Sequence, residues 1–211
     1  MLDLIPIVTS DDATPLEMKL ARVMRDNLQR KHLETALQHH QGQVNLLSTA
    51  ASFNLSIACF PEKIIIRRGL HDNAKVSISG DLALLGTPGI PLKVTGRWQY
   101  PRFAAFIKQL VIQDLRPWSD AAKEFFEYVH DHVDVDISAN VQSNSEAMRF
   151  EYGSGNEPIT IKGSSSSLQR LFDKQSILIE EVVRGRIQCQ SSLRTTALLS
   201  ELTVNRFLGE L

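Results

Sequence analysis

The chain has 211 residues, 43% of them apolar and 22% charged, with 23 Lys and Arg against 24 Asp and Glu for a net charge of -1. Apolar content at this level excludes a disordered chain. Near neutrality argues against a polyanion as dominant partner, while leaving room for a local basic patch. Two cysteines, Cys59 and Cys189, are too few for a disulfide framework. No stretch reaches the roughly 18–20 uncharged apolar residues of a membrane span. The opening run MLDLIPIV is acidic at Asp3 and broken by Pro6, unlike a signal peptide. These features predict a soluble, cytoplasmic protein, the alternative for the opening run being a short docking segment.

In chain order, Thr14, Pro15 and Glu17 form a helix start, with cap, first-position proline and first-turn acid. Leu16, Leu20, Val23, Met24 and Leu28 follow helical spacing, and Leu33 and Leu37 continue it to about His39-His40. Phe53 to Cys59 alternates apolar and polar. Pro61-Glu62 turns it into the β-branched run Lys63 to Arg68, which predicts a hairpin. Lys75 to Ser79 is a strand closed by Gly80, and Asp81 to Leu85 a short helix stopped by Gly86, Pro88 and Gly89. Leu92 to Trp98 is the next strand. Helices follow from Pro101 and from Ser119.

The order then repeats. Val133 to Ala139 and Ala147 to Tyr152 read as a second hairpin, Ile159 to Lys162 as a strand closed by Gly163, and Ser164 to Ser167 as a helix cap. Val182 to Ile187 reads as a strand and about Ser191 to Leu208 as a last helix. Two short matches carry the repeat. Val76 to Gly80 corresponds to Ile159 to Gly163, and V-x-G-R-x-Q at Val94 to Gln99 corresponds to the same pattern at Val183 to Gln188.

This order resembles the sterol-carrier-protein-2 (SCP2) family. A strand ending in glycine, a short helix, a strand with V-x-G-D/R and a closing amphipathic helix are matched at Val76–Gly80 with Pro91–Arg97. They are matched again at Ile159–Gly163 with Val182–Arg186. Phe53, Leu55, Ile57, Ile64 and Ala74 to Ile78 also resemble SCP2-like accessory factors of bacterial ubiquinone biosynthesis. The fold class expected is α+β: two SCP2-like units, each a mainly antiparallel curved sheet covered by helices, preceded by an N-terminal helix. The boundaries expected are 1–42 for the N-terminal segment and helix, 43–130 for the first unit with a connecting helix, and 131–211 for the second. The resemblance implies an apolar cavity. Its expected lining is Phe103, Phe106, Ile107 and Leu110 in the first unit, and Leu168, Leu171, Phe172, Leu198 and Leu202 in the second. The broken helix after Gly80 would roof the first cavity incompletely.

His130, His132, Asp134 and Asp136 would share one face of an extended strand, where two imidazoles and two carboxylates suit zinc or iron. The competing reading, which is preferred, is a helix end followed by a strand with a solvated acidic face. Ser164 to Ser167 lacks a nucleophile elbow and partners at catalytic spacing. Arg97, Arg184 and Arg186 suit carboxylate pairing or a lipid head group. Trp98, Tyr100 and Trp118 are of interface type. Lys63 to Arg68 is the best basic patch, but it has no stacking motif, so no nucleic-acid partner is expected. The sequence thus predicts a non-enzymatic lipid-binding or lipid-presenting accessory protein without catalytic residues, metal or cofactor. Its partner would be a hydrophobic small molecule or lipid, with at most peripheral membrane contact, and the most specific role expected is in isoprenoid-quinone biosynthesis. The alternative is an interaction or scaffold module with a filled core, acting in a protein complex or dimer.

Overall fold

In the computed structural model, residues 5–50, 52–82 and 91–209 are described. The fold is α+β and divides into two compact units, Met1–Asp114 and Leu115–Leu211.

In the first unit, α1 (Pro15–Arg30) starts where Thr14 and Glu17 form a reciprocal cap. The Thr14 hydroxyl accepts from the Glu17 N–H, and the Glu17 carboxylate accepts from the Thr14 N–H at 2.7 Å. The long helix expected to reach His40 is broken. His32 adopts a left-handed backbone (φ 51°), and α2 (Glu34–His39) restarts on a new axis. That break turns Leu33 and Leu37 into the core, which explains the shifted apolar face of the sequence.

The strands are β1 (Ile7–Val8), β2 (Gly42–Ser48), β3 (Asn54–Cys59), β4 (Ile64–Arg68), β5 (Val76–Gly80) and β6 (Lys93–Thr95), followed by α3 (Pro101–Val111). Their order in the sheet is β1-β4-β3-β2-β5-β6, with β2 parallel to β5. Cross-strand register stacks apolar rows on one face: Val76, Val44, Ile57 and Ile66 form one, and Val94, Ile78, Leu46 and Leu55 the next. These rows join Leu20, Met24 and Leu28 of α1 and Phe106, Ile107 and Leu110 of α3 in one core. The opening run is an element of this sheet. Ile7 and Val8 pair in parallel with Ile64 and Ile65, and Ile5 and Ile7 pack on the core. The short helix expected at Asp81 to Leu85, with its Gly86 to Gly89 stop, falls mostly on residues 83–90, outside the described residues.

The second unit runs α4 (Trp118–His132), β7 (Ile137–Ser143), β8 (Arg149–Tyr152), β9 (Glu157–Gly163), α5 (Ser165–Phe172), α6 (Leu178–Val183), β10 (Ile187–Gln190) and α7 (Leu193–Leu208), with sheet order β10-β9-β7-β8. Phe125 and Phe126 of α4 meet Phe172 of α5, and Phe126 stacks on Phe150 and Tyr152 of β8. Arg116 ties α5 to the chain before α4, its Nε and Nη2 donating to the buried Asp173 carboxylate at 2.9 and 2.7 Å.

The two units share one plan. In each, a helix precedes an antiparallel pair (β2 with β3, β7 with β8), a strand parallel to the first of that pair ends in glycine (β5, β9), an antiparallel strand follows (β6, β10), and a helix closes the unit; the first unit adds β4 and β1 beyond β3. The register agrees as well. Leu46 opposite Ile78 and Leu55 corresponds to Val141 opposite Ile161 and Phe150, and Ser48 opposite Gly80 to Ser143 opposite Gly163. The Thr49 N–H donates to the Gly80 carbonyl at 2.9 Å, as the Asn144 N–H does to Gly163 at 2.8 Å. Both glycines give way to a side chain from the next strand. A Cβ on Gly80 would lie 2.7 Å from Leu92, and one on Gly163 would lie 3.0 Å from Ile187.

This plan corrects the expected boundaries. The units meet at Asp114 and Leu115 rather than at 130 and 131, because α4 packs on α5 and β8, and α1 is the opening helix of the first unit rather than a lead-in. It also corrects the second repeat match. Gly96 (φ 81°) follows β6, whereas Gly185 (φ 67°) ends α6 and precedes β10. Val182 to Arg186 is therefore a helix end and turn, not a strand, and the residue matching Val94 by register is Cys189. The second hairpin also begins later than expected, since residues 133–136 precede β7.

Candidate functional site

A cavity of about 610 Å³ lies in the first unit between the β5–β6 margin of the sheet and α3. Ile78 and Val94, directly opposite each other in the ladder, form its floor together with Leu92. Pro101, Ala104, Ala105 and Lys108 of α3, spaced at three and four residues, form one wall, which Val111 and Ile112 extend. Arg97 and Trp98, from the turn between β6 and α3, also line it. The walls are mostly apolar, with Arg97 and Lys108 as the cations among them. The volume falls within the roughly 300–1,000 Å³ of small-molecule sites.

Local sequence explains each wall. Gly96 accepts from the N–H groups of Gln99 and Tyr100, and Pro101 opens α3 at the position where a missing N–H costs nothing. The far end of α3 is held by α1. Asn27 Nδ2 donates to the carbonyls of Leu110 and Ile112, and Lys31 Nζ donates to Gln109 and Ile112. These bonds satisfy carbonyls that a helix leaves unpaired at its C-terminus. A second depression, about 490 Å³, continues past Ala105, Lys108 and Ile112 toward Lys31 and Asp114.

The second unit closes the corresponding place. Residues 164–186, between β9 and β10, supply α5 and α6, and Leu168 lies 3.6 Å from where a Cβ on Gly163 would sit. In the first unit the same link is made by residues 81–92, about half as long. In the second unit a depression of about 180 Å³ lies beside Val133, Val135, Arg194 and Leu198.

The expected lining residues therefore lie elsewhere. Phe103, Phe106, Ile107 and Leu110 occupy the buried face of α3 and fill the first core. Leu168, Leu171, Phe172 and Leu202 fill the second core, and Leu198 is half-buried at its small depression. The sequence signal for the true wall is the pair Ala104 and Ala105, small residues flanking the bulky stripe of α3. Small side chains leave room between helix and sheet where large ones would close it.

The acidic His-Asp segment does not form a ligand face. His130 and His132 end α4, His132 Nδ1 lies 2.9 Å from the Tyr128 carbonyl, and its ring packs on Tyr128. Among the described residues no group of three or more His, Cys, Asp or Glu side chains is placed to hold a metal ion. Arg184 pairs with Glu180 and Arg186 with the buried Glu181, so both brace α6. Cys59 is core, and burial pushes its thiol up to about 12. Among the described residues no helix is long and apolar enough to cross a membrane. Compared with known proteins, the chain matches no family model, no curated protein and no solved structure.

Proposed function

We propose that this chain is a non-enzymatic, SCP2-like lipid-binding accessory protein whose ligand occupies the cavity between α3 and the β5–β6 margin. The observation that carries this reading is the cavity itself, about 610 Å³ with apolar walls and two cationic side chains among them. Such a site suits an apolar tail with an oxygenated or anionic end. The tail gains about 0.8 kcal/mol per buried methylene, and the polar end meets Arg97 or Lys108. Isoprenoid-quinone intermediates have this chemistry, and the strand–glycine order of both units supports the family resemblance. The two free cysteines fit a reducing compartment such as the cytoplasm.

Native mass spectrometry of protein gently extracted from cells tests this. The expected result is a bound mass released by organic solvent and missing from Ala104→Trp, which fills the cavity from its wall. Protein that never retains a lipid, or retains it equally in Ala104→Trp, sinks the reading.

A further inference from the structure

The tip beside this cavity combines two features that are seldom left exposed together. Trp98 is 85% exposed, whereas the chain's other tryptophan, Trp118, is buried. Tyr100 is exposed two residues on. Leaving an indole in water forfeits a large gain from burial. The charge around it is also one-sided. From Leu82 to Gln113 the sequence has no acidic residue, but it has Lys93, Arg97, Arg102 and Lys108, in a chain whose net charge is -1. All four cations are exposed, and none is paired with a carboxylate among the described residues. The Arg97 guanidinium lies 5.0 Å from the Trp98 ring centroid, so charge and indole stand together at the cavity's rim.

We infer that this tip, from Lys93 to Arg102, docks peripherally on anionic lipid bilayers. Trp98 and Tyr100 are of the type that settles at the headgroup level, where an aromatic ring meets hydrocarbon and its polar end stays hydrated. Unpaired cations beside them are drawn to the negative surface of an anionic leaflet and fall off with salt. A protein surface would have to supply anionic groups and an apolar socket together; an anionic bilayer offers phosphates and hydrocarbon side by side at any point. This docking stands apart from the proposed ligand: a chain with an empty cavity would still bind vesicles through the tip.

The test is co-sedimentation of the full chain with phosphatidylcholine vesicles, with and without phosphatidylglycerol, together with tryptophan emission. The expected result is partitioning that needs phosphatidylglycerol and weakens with added salt, accompanied by a blue shift from Trp98. Arg97→Glu with Arg102→Glu is expected to lower partitioning about tenfold or more. Trp98→Ala is expected to weaken partitioning and abolish the blue shift. Because these side chains are exposed, unchanged circular dichroism will show that the variants fold. No partitioning at low salt, or partitioning untouched by both variants, overturns the inference. Recovery of the tip in a stoichiometric protein complex that occludes Trp98 also overturns it. Vesicle binding without a retained lipid would count against the proposed function and leave the docking surface standing.

Discussion

Asn27 of α1 holds the carbonyl of Leu110 at the C-terminal end of α3, its Nδ2 donating at 2.9 Å from a fully buried position. The same amide reaches the Ile112 carbonyl at 3.1 Å. Together with Lys31, which reaches the Gln109 and Ile112 carbonyls, this side chain ties the end of α3 to α1, and with it one wall of the cavity. Asn27→Ala leaves both carbonyls without this donor and is expected to cost about 1–3 kcal/mol. Chemical denaturation checks the magnitude. Ligand retention should fall in the same variant, because Lys31 alone then pins the wall.

A buried carboxylate plays the matching part in the second unit. Asp173 accepts from the backbone N–H and guanidinium of Arg116 and is fully buried. Asp173→Ala removes the partner and is expected to destabilise this unit by about 3–5 kcal/mol. Hydrogen exchange resolved by residue should show the loss in α4 and α5, with the first unit's amides unchanged.

Acid should act on the first unit through Glu17. Burial alone would raise its carboxyl, but the Thr14 N–H and hydroxyl and the Arg68 guanidinium outweigh that effect and hold it below its ordinary 4.5. The folded unit therefore prefers the ionised form. Its stabilisation is complete above the ordinary carboxylate range and is lost as pH falls through the lower folded value. Exchange protection of α1 is expected to decline on acidification below about pH 4.5. Glu17→Gln should be less stable at neutral pH and show a shallower decline. An equal slope in the variant would refute this assignment.

The two glycines of the repeated V-x-G-R-x-Q pattern should respond differently to alanine. Both have left-handed backbone, but a Cβ on Gly185 meets nothing within 4 Å, whereas one on Gly96 collides with the Lys75 carbonyl. Gly185→Ala is expected to cost about 1–2 kcal/mol from backbone strain alone. Gly96→Ala is expected to cost clearly more, since β5 or the turn must also move. Thermal melts of the two variants make the comparison.

Much of this fold was legible because local signals and tertiary packing agree. The Thr14–Glu17 cap, the alternation from Phe53 to Cys59 and the strand–glycine ends at Gly80 and Gly163 all lie where the sequence places them. The failures have physical causes. Val182 and Val183 read as strand because they are β-branched, yet they end a helix of six residues, too short to display a helical period. Glu180 and Glu181 in its first turn, and Gly185 just past its end, were the available helix signals. Val133 and Val135 extend an alternation that only becomes a ladder at Ile137. The cavity residues were hidden because apolar character marks core and site alike. Phe103, Phe106, Ile107 and Leu110 are oily because they are packed, and the open side of α3 is marked by small residues.

In both units the strands flanking the glycine link keep the same register, although the chain between them differs about twofold in length. That link is therefore a graft point, where residues can be gained or lost without moving a strand. Replacing residues 81–91 with the equivalent of 164–186 would carry the second unit's α5 and α6 onto the first with Leu92 in the place of Ile187.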